Sequence, residues 1–373
     1  MPHTRKKILI VSLSAGSGHI QTAKALERNA LLNFPQLQCR HIDIADYITP
    51  LLKKTTVEGY DFLVSHLPKV WSGLFRISDN KAFIKTYHAF TDYLKMLNSF
   101  EFLHEVEKFN PDHIVTTHFL PSEILVHAMK KRSKAVPITQ IITDYSVHPI
   151  MVVKGISEYV VSTSEMKEEL IHTYKVSPAH IHQFGIPIDP VFYGTQSLEH
   201  IQLKYHLPHN KPLILLLSGG SGLMELTDII EELFDKLTIP FTLVAVTGKN
   251  KKMFNRISKL APPKYISYVP LGWTDDISSL MKLASVVVSK PGGLTTTECT
   301  VSQVPLIAIH PIPGQEDFNI EYLKKNHLGD HAKTPTDIIP LITKYLSHSQ
   351  VKKDCTQVQS GTQLLEFITK LKS

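Results

Sequence analysis

Cysteine is scarce in this sequence: Cys39, Cys299 and Cys355 stand odd in number and far apart along 373 residues. Such a set builds neither a disulfide framework nor a zinc cluster, so redox chemistry and a bound metal are not expected. Long apolar runs are missing as well; no stretch of about 18 residues offers a membrane span. Arg5-Lys6-Lys7 lead straight into a short apolar run without a cleavage-type leader, which sets cytoplasm as the expected location. Charge of one sign is not in excess. The net charge of +6 is a weak attraction for an anionic membrane surface and no better for nucleic acid, and no nucleic-acid partner is expected. No short repeat or low-complexity tract is present, which excludes solenoids and disordered arrays.

What remains is a chain 43% apolar and 20% charged, enough for a globular protein with two cores. Strand-like apolar runs alternate with longer segments of helical period, the pattern of βα units around parallel sheets. The spacing predicts strands at residues 8–13, 38–44, 113–117, 138–143 and 159–162, with helices at 19–32 and along 57–109. A second series has strands at 213–217, 241–246, 266–269, 286–288 and 306–309, with a helix near 225–237. Each series reads as one Rossmann-like domain. Gly185-Ile186-Pro187-Ile188-Asp189-Pro190 resists helix and sheet and suits a linker beside a cleft. The expected division is 1–190, 191–345 and a C-terminal helical piece, 346–373.

Three glycine turns follow predicted strands: Gly16-Ser17-Gly18, Gly219-Gly220-Ser221-Gly222, and Gly292-Gly293. Glycine admits close backbone approach, and N–H groups at a helix start attract anions, so a nucleotide site is the first functional hypothesis. The dehydrogenase fingerprint fails because position 21 is Gln21, and the phosphate-loop pattern fails because Gly248-Lys249 is followed by Asn250. Hydride transfer and ATP hydrolysis recede.

The ordered set Ser14-Ala15-Gly16-Ser17-Gly18-His19, Ile142-Thr143-Asp144 with His148, Gly185-Ile186-Pro187, Ser289-Lys290-Pro291-Gly292-Gly293, and Pro313-Gly314-Gln315-Glu316 with Asn319 resembles the diacylglycerol glycosyltransferases. These comprise plant monogalactosyldiacylglycerol synthases and bacterial processive diacylglycerol glucosyltransferases, and the Lys-Pro-Gly-Gly form looks more like the bacterial branch. The resemblance implies an α/β chain of GT-B fold, with two Rossmann-like domains facing across a cleft, the acceptor in the N-terminal one and the nucleotide in the C-terminal one. It also implies inverting transfer of a hexose from UDP-glucose or UDP-galactose to diacylglycerol, without a cofactor or metal. The protein would work as a peripheral enzyme on the inner face of the cell membrane, with the last helix crossing back onto the first domain.

The implied division of labour can be followed residue by residue. Gly219, Gly220, Ser221, Gly292, Gly293 and Thr295 would meet the departing UDP with backbone donors. Glu298 falls on the position that holds the ribose hydroxyls, and Gln315, Glu316 and Asn319 on the segment that reads the hexose. His19, beside Gly18 in the family's glycine-histidine pair, is the preferred base, kept neutral by the positive end of its helix. Asp144 is the competing base or the support of His19, and His148 together with Gly18 belongs to the acceptor side. Leu63, Leu67, Val70, Trp71, Leu74 and Phe75, near Lys53, Lys54, Lys69 and Arg76, have the spacing of a helix lying in a headgroup layer, though a buried amphipathic helix explains the apolar residues about as well. Other readings stay open: transfer to another lipid-linked acceptor such as a peptidoglycan precursor, a nucleotide-sugar epimerase, or a non-catalytic UDP-sugar sensor.

Overall fold

The computed structural model describes residues 5–14, 16–49, 59, 62–63, 67, 70–73, 100–130, 136–194, 197–347 and 359–371. The chain divides into two compact units, Met1–Pro190 with Val358–Ser373, and Val191–Gln357.

The first unit is built on six parallel strands, β1 (Lys6–Ser12), β2 (Leu37–Asp43), β3 (His113–Thr116), β4 (Ile138–Ile141), β5 (Glu158–Val160) and β6 (Ile181–His182), in the order β2-β1-β3-β4-β5-β6. Ile8, Leu9, Ile10 and Val11 are all completely buried; a parallel strand covered on both faces needs an unbroken apolar run, which is why the alternation of a half-exposed strand is absent. The helix Ser17–Asn33 covers one face with Ala23, Leu26 and Ala30.

The helix Ser360–Lys370 lies on the same face. Its Leu364, Leu365 and Ile368 are fully buried among Ile8, Ile10 and Leu26, each contributing about 1.5–3 kcal/mol of apolar burial as an upper estimate. Lys6 Nζ donates to the carbonyls of Ile368 and Leu371 at 2.8 and 2.7 Å, satisfying acceptors that a helix C-terminus leaves open. Asn29 Nδ2 donates to Thr362 Oγ1 at 3.1 Å. The last helix is thus an integral part of the first unit's core.

The second unit repeats the architecture with β7 (Leu213–Leu217), β8 (Thr242–Val246), β9 (Ser267–Leu271), β10 (Val286–Ser289), β11 (Leu306–Ala308) and β12 (Gly329–His331), in the order β12-β11-β10-β7-β8-β9. The unit runs past residue 345, since the helix Ile338–Ser347 sends Ile338, Ile342 and Tyr345 into its core.

Each strand order reverses direction once. The chain moves outward from β1 to β2 and then returns to place β3 on the other side of β1; likewise it returns from β9 to place β10 beside β7. In open α/β sheets the crevice for a ligand opens at such a reversal, beyond the carboxyl ends of the two central strands. The glycine turns after β1, β7 and β10 all fall there.

Several expectations are corrected by the structure. Strands β6 and β12, of two and three residues, are too short to carry a period and are absent from the sequence reading. The helix after β7, Thr227–Lys236, falls within the expected 225–237, and residues 219–222 precede it as a turn. Of the helical stretch expected over 57–109, the structure describes a continuous helix at Phe100–Phe109. Leu74, Phe75, Lys53, Lys54, Lys69 and Arg76 lie outside the described residues. Leu67 N donates to Leu63 O and Trp71 N to Leu67 O, and Phe62, Leu67 and Val70 are exposed. Among the described residues no helix is long and apolar enough to cross a membrane.

Candidate functional site

In the first unit the reversal point is occupied by His19. Gly16, at φ 81° and ψ 160°, occupies the N-cap of the helix Ser17–Asn33; a side chain there would be strained, so only glycine turns the chain so sharply off β1. His19 follows within the first turn. Its Nδ1 lies 2.6 Å from the carbonyl oxygen of Thr117, directly after β3, and 3.0 Å from Thr143 Oγ1, beyond β4. Thr117 also donates its hydroxyl to the main-chain oxygen of His19 at 3.0 Å.

A carbonyl can only accept, so Nδ1 carries the proton and Nε2 of the neutral ring holds the free lone pair. Burial pushes the His19 pKa down to about 4 against the opposing pull of the Thr117 carbonyl. The ring is therefore neutral at physiological pH, with its base nitrogen fixed by hydrogen bonds to main chain and hydroxyl. Gly18 beside it leaves open space: a Cβ there would meet no atom within 4 Å.

His118 stands edge-on to His19, ring centroids 4.7 Å apart. It caps the helix Phe119–Met129, its Nδ1 accepting from Leu120 N at 3.1 Å, and burial first, then the neighbouring His19, hold its pKa well below the usual range. A charged imidazolium next to His19 would oppose protonation there; with His118 held neutral, that opposition is absent.

Asp144 is buried, with 7% of its surface exposed, three residues past the end of β4. The group that touches His19 Nδ1 from this segment is Thr143. His148 is buried and its Nδ1 accepts from Ile150 N at 3.3 Å, capping the short turn Pro149–Met151.

In the second unit two loops meet at the β7/β10 reversal. The turn 219–222 packs against residues 247–250 so closely that a Cβ on Gly248 would stand 2.5 Å from Gly219 O and 2.7 Å from Gly220 O; no side chain fits there. Gly219 and Gly220 are half-buried and Ser221 is exposed. Past β10, Gly292 is the N-cap of the helix Gly293–Ser302, and no side chain caps that helix start, which leaves its first N–H groups for a ligand. Thr295 and Glu298 on this helix are half-buried.

The segment after β11 is fastened to this turn. Glu316, 2% exposed, accepts from Lys290 Nζ at 2.6 Å through Oε1 and from Ile312 N at 2.8 Å through Oε2. Asn319, fully buried, donates Nδ2 to Pro291 O at 2.8 Å. Gln315 is the more open member. The Lys-Pro-Gly-Gly and Pro-Gly-Gln-Glu motifs, distant in sequence, thus form one structure.

The sequence reading overlooked four groups of this framework: Thr117, His118, Thr143 and Lys290. Thr143 and Lys290 sit inside the quoted motifs and carried no assignment. Thr117-His118 at the end of a predicted strand was a usable signal, since strand ends at a reversal point face the ligand. Among the described residues, no group of three or more His, Cys, Asp and Glu side chains is placed to hold a metal ion.

Comparisons with known proteins bear on both units. A family model described as monogalactosyldiacylglycerol (MGDG) synthase matches residues 19–188, and one described as glycosyltransferase family 28 C-terminal domain matches residues 213–357. The processive diacylglycerol beta-glucosyltransferase of Bacillus licheniformis is 30% identical over 92% of this chain and 88% of its own. Its counterpart in Bacillus subtilis is 28% identical over 99% and 96%. Among solved structures, MurG of Acinetobacter baumannii superposes with a TM-score of 0.62 at 13% identity, covering 98% of this chain and 100% of its own. UDP-GlcNAc 2-epimerase from Neisseria meningitidis, bound to UDP-GlcNAc, reaches 0.61 at 12% identity with the same coverage. At such identities these two speak for the fold alone, which is the GT-B fold.

Proposed function

Because this chain belongs to the diacylglycerol glycosyltransferase family and is a glycosyltransferase, we propose that it moves a hexose, glucose or galactose, from a UDP-sugar to the hydroxyl of diacylglycerol with inversion at the anomeric carbon. The observation that carries this reading is the set of hydrogen bonds at His19. A glycerol hydroxyl attacks better as its proton leaves, and His19 offers a neutral imidazole with Nδ1–H donated to Thr117 O and Nε2 left as the proton acceptor. Asp144, next to Thr143, supports that segment, with Gly18 and His148 on the acceptor side.

The donor belongs to the second unit. Gly219, Gly220 and Ser221 after β7, with Gly292, Gly293 and Thr295 after β10, receive the diphosphate. Glu298 takes the ribose hydroxyls, and Gln315, with Glu316 and Asn319 behind it, meets the hexose. The reading includes no metal and no organic cofactor. Diacylglycerol resides in a bilayer, so the enzyme works at an anionic membrane surface from the cytoplasmic side; exposed Phe62, Leu67 and Val70 are the apolar residues that support such contact.

Lipid product analysis tests this. Purified protein is incubated with UDP-glucose or UDP-galactose and vesicles of diacylglycerol with anionic lipid. The expected product is a glycolipid of inverted anomeric configuration. UDP release without glycolipid would transfer the proposal to another lipid-linked acceptor, and an epimerised or free sugar without lipid would refute transfer.

A further inference from the structure

We infer that Lys290 is a catalytic residue that binds and neutralises the departing diphosphate, with Glu316 as its positioning partner. The inference rests on the UDP-sugar reading above. Lys290 directly follows β10, the strand beside β7 at the reversal of strand order. Its Cε stands 3.9 Å from where a Cβ on Gly219 would be, and its Nζ 3.9 Å from where a Cβ on Gly292 would be. The side chain therefore spans the two glycine turns that the diphosphate is expected to enter.

Glu316 explains why the ammonium stays there. A lone carboxylate at 2% exposure would be costly; paired with Lys290 at 2.6 Å and with Ile312 N at 2.8 Å, both its oxygens are satisfied. Lys290, with 25% of its side chain exposed, has three N–H donors and spends one on Glu316. Two are left to point at phosphate oxygens. Removing Lys290 alone would strand the buried charge of Glu316.

The transfer step makes use of this. The acceptor oxygen bonds to the anomeric carbon, its proton passes to His19 Nε2, and the bond from that carbon to the β-phosphate oxygen breaks with its electron pair staying on the phosphate. UDP then carries one more negative charge. The Lys290 ammonium opposes that charge together with the N–H groups at the start of the helix Gly293–Ser302, in a site where fixed charges need little reorganisation.

The test compares UDP and uridine binding by calorimetry, alongside glycolipid formation, in wild type, Lys290→Arg and the double variant Lys290→Met with Glu316→Gln. The double variant leaves no unpaired buried charge, and its thermal melt certifies its fold. The expected result is a UDP affinity weaker by about tenfold to 100-fold in the double variant, as for loss of charge-assisted hydrogen bonds, with uridine affinity unchanged. Turnover falls by more than UDP affinity, because the charge is greatest at bond breaking. Lys290→Arg, which keeps the charge, stays within about threefold for UDP. A folded double variant with wild-type UDP affinity and turnover overturns the assignment of Lys290. Failure of the wild type itself to bind UDP would instead overturn the donor reading.

Discussion

The two units carry their candidate sites at equivalent points of similar sheets, yet His19 stands among uncharged groups at one reversal point and an ion pair stands at the other. At β1/β3, His19 is held by a carbonyl and a hydroxyl, beside a second neutral imidazole, His118. At β7/β10 the central feature is the pair Lys290 and Glu316. Under the proposed transfer, the difference matches what each half of a displacement demands. An imidazole must be uncharged to accept a proton, and burial keeps His19 in that form. A departing diphosphate gains charge, so its site must already hold an opposite charge in place.

The comparison breaks most decisively at His19. His19→Ala is expected to lower kcat for glycolipid formation by about 100-fold to 10⁴-fold, measured at saturating donor with vesicle-borne diacylglycerol. Retained turnover would pass the role of base to Asp144.

The next effect separates the units by stability. Leu365→Ala, in the core of the first unit, should cost about 2–5 kcal/mol, read by denaturant unfolding. Hydrogen exchange should show loosening of β1 and the helix Ser17–Asn33 while β7 and β8 keep their protection. Equal loosening of both units would mean that the last helix does not serve the first one.

Acid should separate them again. Burial lowers the pKa of His19 to about 4, of His113 to about 3 and of His118 well below its ordinary value, all in the first unit. Where the folded pKa lies below the unfolded one, about 6.5 for histidine, the unfolded chain binds more protons and stability is lost as the pH is lowered. The contribution is complete above about 6.5 and is lost as pH drops toward 4. His310 and His331 of the second unit are lowered too, but neither is buried. Hydrogen exchange across this window should open the first unit before the second. In the same window kcat/KM should hold and fall only near about 4, where His19 takes up its proton; an acid limb at the ordinary histidine value would show that the free enzyme does not keep this base neutral.

A smaller effect sharpens the orientation of the base. Thr143→Val removes the oxygen 3.0 Å from His19 Nδ1 while Thr117 O remains. A fall of about threefold to tenfold in kcat is expected, the worth of one neutral hydrogen bond, with KM for donor unchanged and activity restored by Thr143→Ser. No effect at all is expected from chelation: with Lys290 as the countercharge, EDTA leaves the initial rate unchanged, and a rate lost and restored by a divalent cation would place a metal in that role.

Much of this was legible in sequence because it depends on local runs. Leu213–Leu217 is an uninterrupted apolar pentad, so β7 is legible to the residue, and the glycines after β1, β7 and β10 mark the loops at the two reversals of strand order. The illegible part is contact across sequence. Nothing in the composition of residues 17–33 says that Thr117 will accept from His19, 98 positions away. Likewise nothing in the Pro-Gly-Gln-Glu segment says that Glu316 will bond Lys290 or Asn319 the carbonyl of Pro291. Side-chain direction at a loop is set by the partner that satisfies a buried group, and that partner is known only once the fold has closed.

The division of labour between the units is tested most directly by the UDP dissociation constant of His19→Ala. Acting only on the acceptor, His19 should leave that constant within about twofold of wild type while turnover is lost; a UDP affinity that falls in step with turnover would contradict the account.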